Sequence, residues 1–202
     1  MQILLNINEN HILEPQNETL AKLAKVNGVL FPGGDGDYLE YGSMSLEFVQ
    51  DPRHTKMFNW LGEEAFLFEN YNMTYNAHHQ GMNPEKFKSD KGLSEIFHHT
   101  AISYMPDGRP FVASVESDKY PFFGTQFHPE KAARVYREDL YIDHSWLSIN
   151  LNKHFAEYFV YQTRQNPNNY GTYSETQRDI IQNYDLIVSD QWFDTVYVFK
   201  QF

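Results

Sequence analysis

The stretch NETLAKLAKVNGVLFPGG, from Asn17 to Gly34, decides the fold class. Leu20, Leu23, Ala24 and Val26 recur at helical spacing. Asn17 has the chemistry of an N-cap, and Asn27-Gly28 is a C-terminal stop. Upstream, Ile3-Leu4-Leu5 reads as a short buried strand, set off from the helix by Pro15-Gln16-Asn17. Downstream, Val29-Leu30-Phe31 is a continuous apolar run cut by Pro32-Gly33-Gly34. Strand, helix, strand and glycine loop in that order make half of a doubly wound α/β sheet. Ligands of such sheets sit at the carboxyl ends of the strands, which is where Gly33 and Gly34 fall.

Working outward, residues 35–45 are irregular, and Leu46-Glu47-Phe48-Val49 reads as a strand. Residues 55–61 suit a short helix. Ala65-Phe66-Leu67-Phe68 and Met73-Thr74-Tyr75-Asn76 read as strand or loop. Residues 96–104 and 110–116 form a hairpin about Met105-Pro106-Asp107-Gly108-Arg109. Residues 122–127 are a further strand that ends at His128. From 144 to 164, Leu147, Leu151, Phe155, Tyr158, Phe159 and Gln162 share one helical face, closed by Asn166-Pro167-Asn168-Asn169. Thr195-Val196-Tyr197-Val198-Phe199 is strand-like. No repeat or linker interrupts the chain, so a single domain over residues 1–202 is expected.

Hydrophobic residues make up 41% of the 202, and aromatic residues 16%, so large rings supply much of the core. The net charge of −11 repels a nucleic-acid backbone and an anionic membrane surface, so neither is expected as a partner. No stretch approaches the ~20 apolar residues of a membrane span. Ile3-Leu4-Leu5 is too short for a signal core, and nothing else in the chain fixes a compartment. The sequons at Asn17 and Asn72 carry little weight without one.

The chemistry concentrates in FGTQFHPEKAA, residues 123–133. His128 has the character of a general base, and Glu130, two residues on, that of its orienting carboxylate. Such a pair serves a nucleophile, yet the chain has no cysteine, which excludes disulfides, thiolate metal sites and thiol catalysis within it. Ser43 and Ser45 lack the tight small-residue turn that a nucleophile elbow needs. His78-His79 and His98-His99 each offer at most one ligand to a metal, because neighbours on a strand point to opposite faces. No metal and no other cofactor is expected. Asp35-Gly36-Asp37 lacks the closing Glu of a calcium loop, and Gly33-Gly34 lacks the Lys-Ser/Thr of a phosphate loop. Asp51, Glu63, Glu64 and Glu69 read as a solvated acidic face.

GVLFPGGDGDY, HHQGM, KYPFFGTQFHPEK and AEYFVYQTRQN, in that order, resemble the γ-glutamyl hydrolases of the class I glutamine amidotransferase-like superfamily. The resemblance covers residues 26–202. It implies a flavodoxin-like α/β fold, a mostly parallel sheet with helices on both faces. It implies hydrolysis of γ-linked glutamate chains such as those of folylpolyglutamates, hence a small γ-glutamyl ligand, with a homodimer admitted. By the same resemblance His128 and Glu130 are catalytic, Gly33 and Gly34 lie by the substrate carbonyl, and His78 lies at the substrate pocket. Relatives are often lysosomal, vacuolar or extracellular. The departure is the family's G-T-C-x-G-like elbow, which belongs between about Gly42 and Ser45 and is absent. A first strand-helix unit before Met1 is expected to be missing too. The chain as written is expected to be inactive, the alternative being a pseudoenzyme that holds a glutamylated ligand or a protein partner.

Overall fold

The computed structural model describes residues 3–4, 16–30, 40–78, 80–188 and 195–199. In chain order the elements are β1 (Ile3–Leu4), α1 (Gln16–Leu23), β2 (Val29–Leu30), β3 (Glu40–Met44) and β4 (Glu47–Phe48). A 3₁₀ segment, Asn59–Phe66, leads into α2 (Leu67–Asn70) and β5 (Thr74–Ala77). Then follow α3 (Pro84–Ser89), α4 (Lys91–Ser94), β6 (His98–Tyr104), β7 (Pro110–Glu116) and β8 (Phe123–Thr125). The chain ends with α5 (Lys131–Arg134), α6 (Trp146–Thr163), α7 (Tyr173–Arg178), β9 (Asp185–Val188) and β10 (Thr195–Val198). Two compact units are present: Met1–Pro32 with Thr163–Phe202, and Gly33–Gln162.

In the first unit β1 and β2 pair in parallel, Ile3 opposite Val29, with α1 between them in sequence. This is the strand-helix-strand order read from Asn17 to Gly34. The helix begins at Gln16, so Asn17 lies inside it and is not its cap. Leu20 is 57% and Leu23 40% exposed, and of the expected apolar face only Val26 is buried. The Asn27 side chain donates to the carbonyls of Thr163, Asn166 and Asn168, which replaces the expected simple stop by a polar knot. Gly33 and Gly34 lie outside the described residues, as do Asp35 to Asp37 and His79.

The second unit holds the core. β4, β6, β7 and β8 form one antiparallel sheet, and β3 pairs antiparallel with β5. Among the described residues the parallel pairing is that of β1 and β2. This departs from the mostly parallel sheet that the resemblance implies; for β6, β7 and β8 the antiparallel order follows from connection length, because residues 105–109 and 117–122 are too few for a crossover, which takes a dozen or more. The 105–109 turn is the one expected, with Gly108 at φ +85° and the Met105 N–H donating to the Arg109 carbonyl at 2.9 Å.

Residues 65–68 are helical, not strand or loop as their apolar run suggests. A short apolar run does not by itself separate the two, and here burial of Ala65 and Phe68 around Phe58 selects the helix. Phe58 is fully buried, edge-on to Phe48 at 4.8 Å and to Phe155 of α6 at 5.6 Å. The buried face of α6 carries Leu151, Phe155 and Tyr158, as the periodicity predicts.

A polar clamp fixes the segment that presents Phe58. The Glu116 carboxylate, 2% exposed as a residue, accepts the backbone N–H groups of Lys56 and Met57 at 2.9–3.1 Å. From the other side His154 Nε2 faces the Met57 carbonyl at 2.7 Å. Burial holds the His154 imidazole below its ordinary pKa. The acidic face expected at Asp51 and Glu63 is instead tied together by Arg53, which bridges both carboxylates.

Two outcomes follow. Phe58→Ala removes a fully buried ring and is expected to cost about 3–5 kcal/mol in urea unfolding; a loss below about 1 kcal/mol would contradict this packing. His154, with its folded pKa depressed, binds a proton less readily folded than unfolded. Stability is therefore complete above its ordinary value of 6.5 and declines as pH falls below it. Unfolding midpoints measured between pH 7.5 and 5 (~2.5 units, centred near the histidine range) should fall, and less steeply in His154→Gln.

Candidate active site

The approach to His128 is built by β8. Thr125 pairs with Ser114 of β7, and the Gln126 N–H still donates to the Ala113 carbonyl at 2.8 Å. Phe127 then turns inward, 3% exposed, against Phe155 at 5.2 Å. The next backbone donor, His128 N–H, bonds to the Tyr75 carbonyl on β5 at 2.8 Å. The chain thus leaves the β7 ladder and docks on β5 within two residues, and His128 sits at that transfer point.

His128 Nδ1 lies 3.0 Å from Glu130 Oε1. The acceptor-only carboxylate selects the tautomer with the proton on Nδ1 and leaves Nε2 as the basic nitrogen. The imidazole is 27% and the carboxylate 60% exposed, so the pair is reachable from solvent. Partial desolvation, the largest influence, raises the Glu130 pKa. The His128 hydrogen bond and charge, its own backbone N–H and Lys131 together outweigh it, and the carboxyl is held below the usual range. The expected base and orienting partner are therefore brought together as an oriented dyad.

His78 follows β5 directly and is buried, 6% exposed. Its Nδ1 faces the Gln80 carbonyl and its Nε2 the Asn76 Oδ1, each at 3.1 Å, with the ring edge-on to Phe111 at 5.0 Å. β5 therefore holds His128 through Tyr75 and leads into His78. Gly81 is required beyond it, because a Cβ there would meet the Phe111 Cβ at 2.7 Å.

The two serines have structural duties. Ser43 lies on β3, an extended strand and not the sharp strand-to-helix turn of a nucleophile elbow. Its N–H donates to the Tyr141 carbonyl and its Oγ accepts the Asp143 N–H, both at 2.9 Å. Gly42 before it has φ +88°, and a Cβ there would come within 2.9 Å of the Tyr141 Cβ. The glycine is needed for this close approach. The Ser45 carbonyl accepts the Ser103 hydroxyl at 2.8 Å.

A cleft of about 580 Å³ lies elsewhere in this unit, lined by His54, Lys56, Phe87, His98, His99 and Glu116 among others. None of the expected site residues lines it, and its buried carboxylate already accepts two backbone N–H groups and faces His98 Nε2 at 3.6 Å. Among the described residues no group of three or more His, Asp or Glu side chains is placed to hold a metal ion. The residues that sequence reasoning passed over are Asn76, Tyr75 and Lys131. Asn76 and Tyr75 were legible only as strand. Lys131 was in plain view after Glu130, but nothing in one dimension showed what its ammonium would face.

Curated relatives carry the resemblance seen in the residues. The gamma-glutamyl hydrolase of Rattus norvegicus is 26% identical over 140 residues, 68% of this chain and 44% of that protein. That of Homo sapiens is 27% identical over 147 residues, 72% and 46%. Gamma-glutamyl hydrolase 2 of Arabidopsis thaliana is 28% identical over 144 residues, 70% and 39%. The chain thus spans less than half the length of these relatives. No protein-family model matches it. The chain is similar to the γ-glutamyl hydrolases and contains no thiol nucleophile.

The dyad makes a specific prediction. Glu130→Gln should abolish the fixed Nδ1–H tautomer, read from the imidazole ¹⁵N shifts of the neutral ring. Because the folded pKa of Glu130 is depressed below 4.5, its contribution to stability is present above that value and is lost as pH falls through the folded one. The wild-type advantage over Glu130→Gln should therefore be flat at neutral pH and vanish in acid. An advantage that persists at the acid end would contradict the pairing.

Proposed function

We propose that this chain is a γ-glutamyl hydrolase-like protein that binds a γ-glutamyl ligand through the His128–Glu130 site without hydrolysing it. The observation that carries the reading is the oriented dyad, 3.0 Å between Nδ1 and Oε1, in a chain with no cysteine. In acyl transfer such a base takes the proton of a nucleophile and returns it to the leaving amine. This chain supplies no thiol for Nε2 to activate. General-base assistance is worth about 10²–10⁴-fold, less than the roughly 10⁶-fold lost with a triad nucleophile.

The remaining assignments belong to the same reading. The chain is read as an incomplete α/β protein of the amidotransferase-like class, with the elbow unit absent. Gly33 and Gly34 approach the ligand carbonyl with bare backbone. His78 lies close to the ligand pocket at the end of β5, its ring held by Asn76 and Gln80. Folylpolyglutamates are the ligand class that the family resemblance suggests, and a homodimer is compatible with it.

The test is calorimetric titration of the full chain with a γ-glutamyl oligomer, alongside a chromatographic assay for released glutamate. Binding without turnover is expected, with affinity reduced in His128→Ala. Turnover that survives a thiol blocker and disappears in His128→Ala would overturn the inactive reading. No binding at any soluble concentration would overturn the ligand class.

A further inference from the structure

We propose that Lys131 is the anion-recognition residue of this site and takes the α-carboxylate of a γ-linked glutamyl ligand. The inference rests on the preceding reading that such a ligand binds. Lys131 opens α5, three residues after His128, and is half-buried. Its ammonium stands over the ring of Tyr75, 5.2 Å from the centroid. Tyr75 is 1% exposed, and its carbonyl holds the His128 N–H. One buried residue therefore positions the base through its backbone and the cation through its ring face.

The contact keeps the charge usable. A ring quadrupole attracts an ammonium without neutralising it. Among the described residues Lys131 makes no ion pair, unlike Arg137, which pairs with Asp139, and Lys153, which pairs with Glu157. The adjacent Glu130 carboxylate bonds to His128 instead and feels Lys131 only at longer range. The surrounding chain makes this arrangement pointed. With 27 acidic against 16 basic residues it repels an anion at a distance, so recognition of a carboxylate requires a local cation that is not already cancelled. A half-buried ammonium is screened less than an exposed one. A γ-glutamyl link leaves the α-carboxylate free, which is the group this cation suits.

The experiment titrates the full chain with γ-glutamylglutamate and with the same dipeptide amidated at its α-carboxyls, at low and high salt. The unaltered chain is expected to prefer the acid by about tenfold, the size of one charge-assisted hydrogen bond, and less so at high salt. Lys131→Met and Lys131→Gln should erase the preference, and Lys131→Arg should retain most of it, with thermal midpoints showing that each variant is folded. Equal binding of acid and amide by the unaltered chain overturns the proposal while leaving the ligand reading intact, and needs no variant. A preference that survives in Lys131→Met or Lys131→Gln does the same. Failure of the unaltered chain to bind either dipeptide overturns both.

Discussion

The hydrogen bond from the His128 N–H to the Tyr75 carbonyl, 2.8 Å long, is the constraint on which the site depends. It lies where β8 runs out of partners on β7 and the chain must find a new acceptor. A buried amide without one costs about 1–3 kcal/mol, so the backbone is driven onto β5. That transfer brings His128 to the strand that leads into His78, and sets Lys131 over the Tyr75 ring one turn later. Remove the bond, and base, carboxylate and cation lose their common reference.

The core of the second unit is fixed by a clamp of its own. Glu116 accepts the N–H groups of Lys56 and Met57 while His154 faces the Met57 carbonyl, and Phe58, the next residue, drops into the ring cluster with Phe48, Phe68 and Phe155. Phe127, one residue before His128, packs on the same Phe155. Core and site are therefore coupled through one aromatic side chain of α6. A buried carboxylate at Glu116 is tolerable because backbone donors replace its lost hydration.

Where a hydrolase of this kind would carry its thiol, the chain uses its small residues for something else. Gly42 bends under Tyr141 and Ser43 is hydrogen-bonded along the outer edge of β3. An edge strand left with bare N–H and carbonyl groups invites aberrant pairing. Residues 141–143 cover that edge instead. Gly42 and Ser43, which offer no elbow turn in one dimension, hold a strand-edge cap in three.

The sequence by itself determined the elements whose cause is local. The 105–109 hairpin followed from its turn residues, α6 from its 3.6-residue period, and the β1-α1-β2 order from two short apolar runs around a helical one. It also determined the His128–Glu130 dyad, since a spacing of two needs no distant partner, and the want of a sulfur nucleophile, which is a matter of counting. Only the tertiary structure decided the rest. Whether residues 65–68 were strand or helix turned on Phe58, which arrives from outside that window. What Glu116, His154, Gly42 and Lys131 do depends on groups 56 to 99 positions away in the chain. Those contacts obey distance in space, and no periodicity or propensity along the chain encodes them.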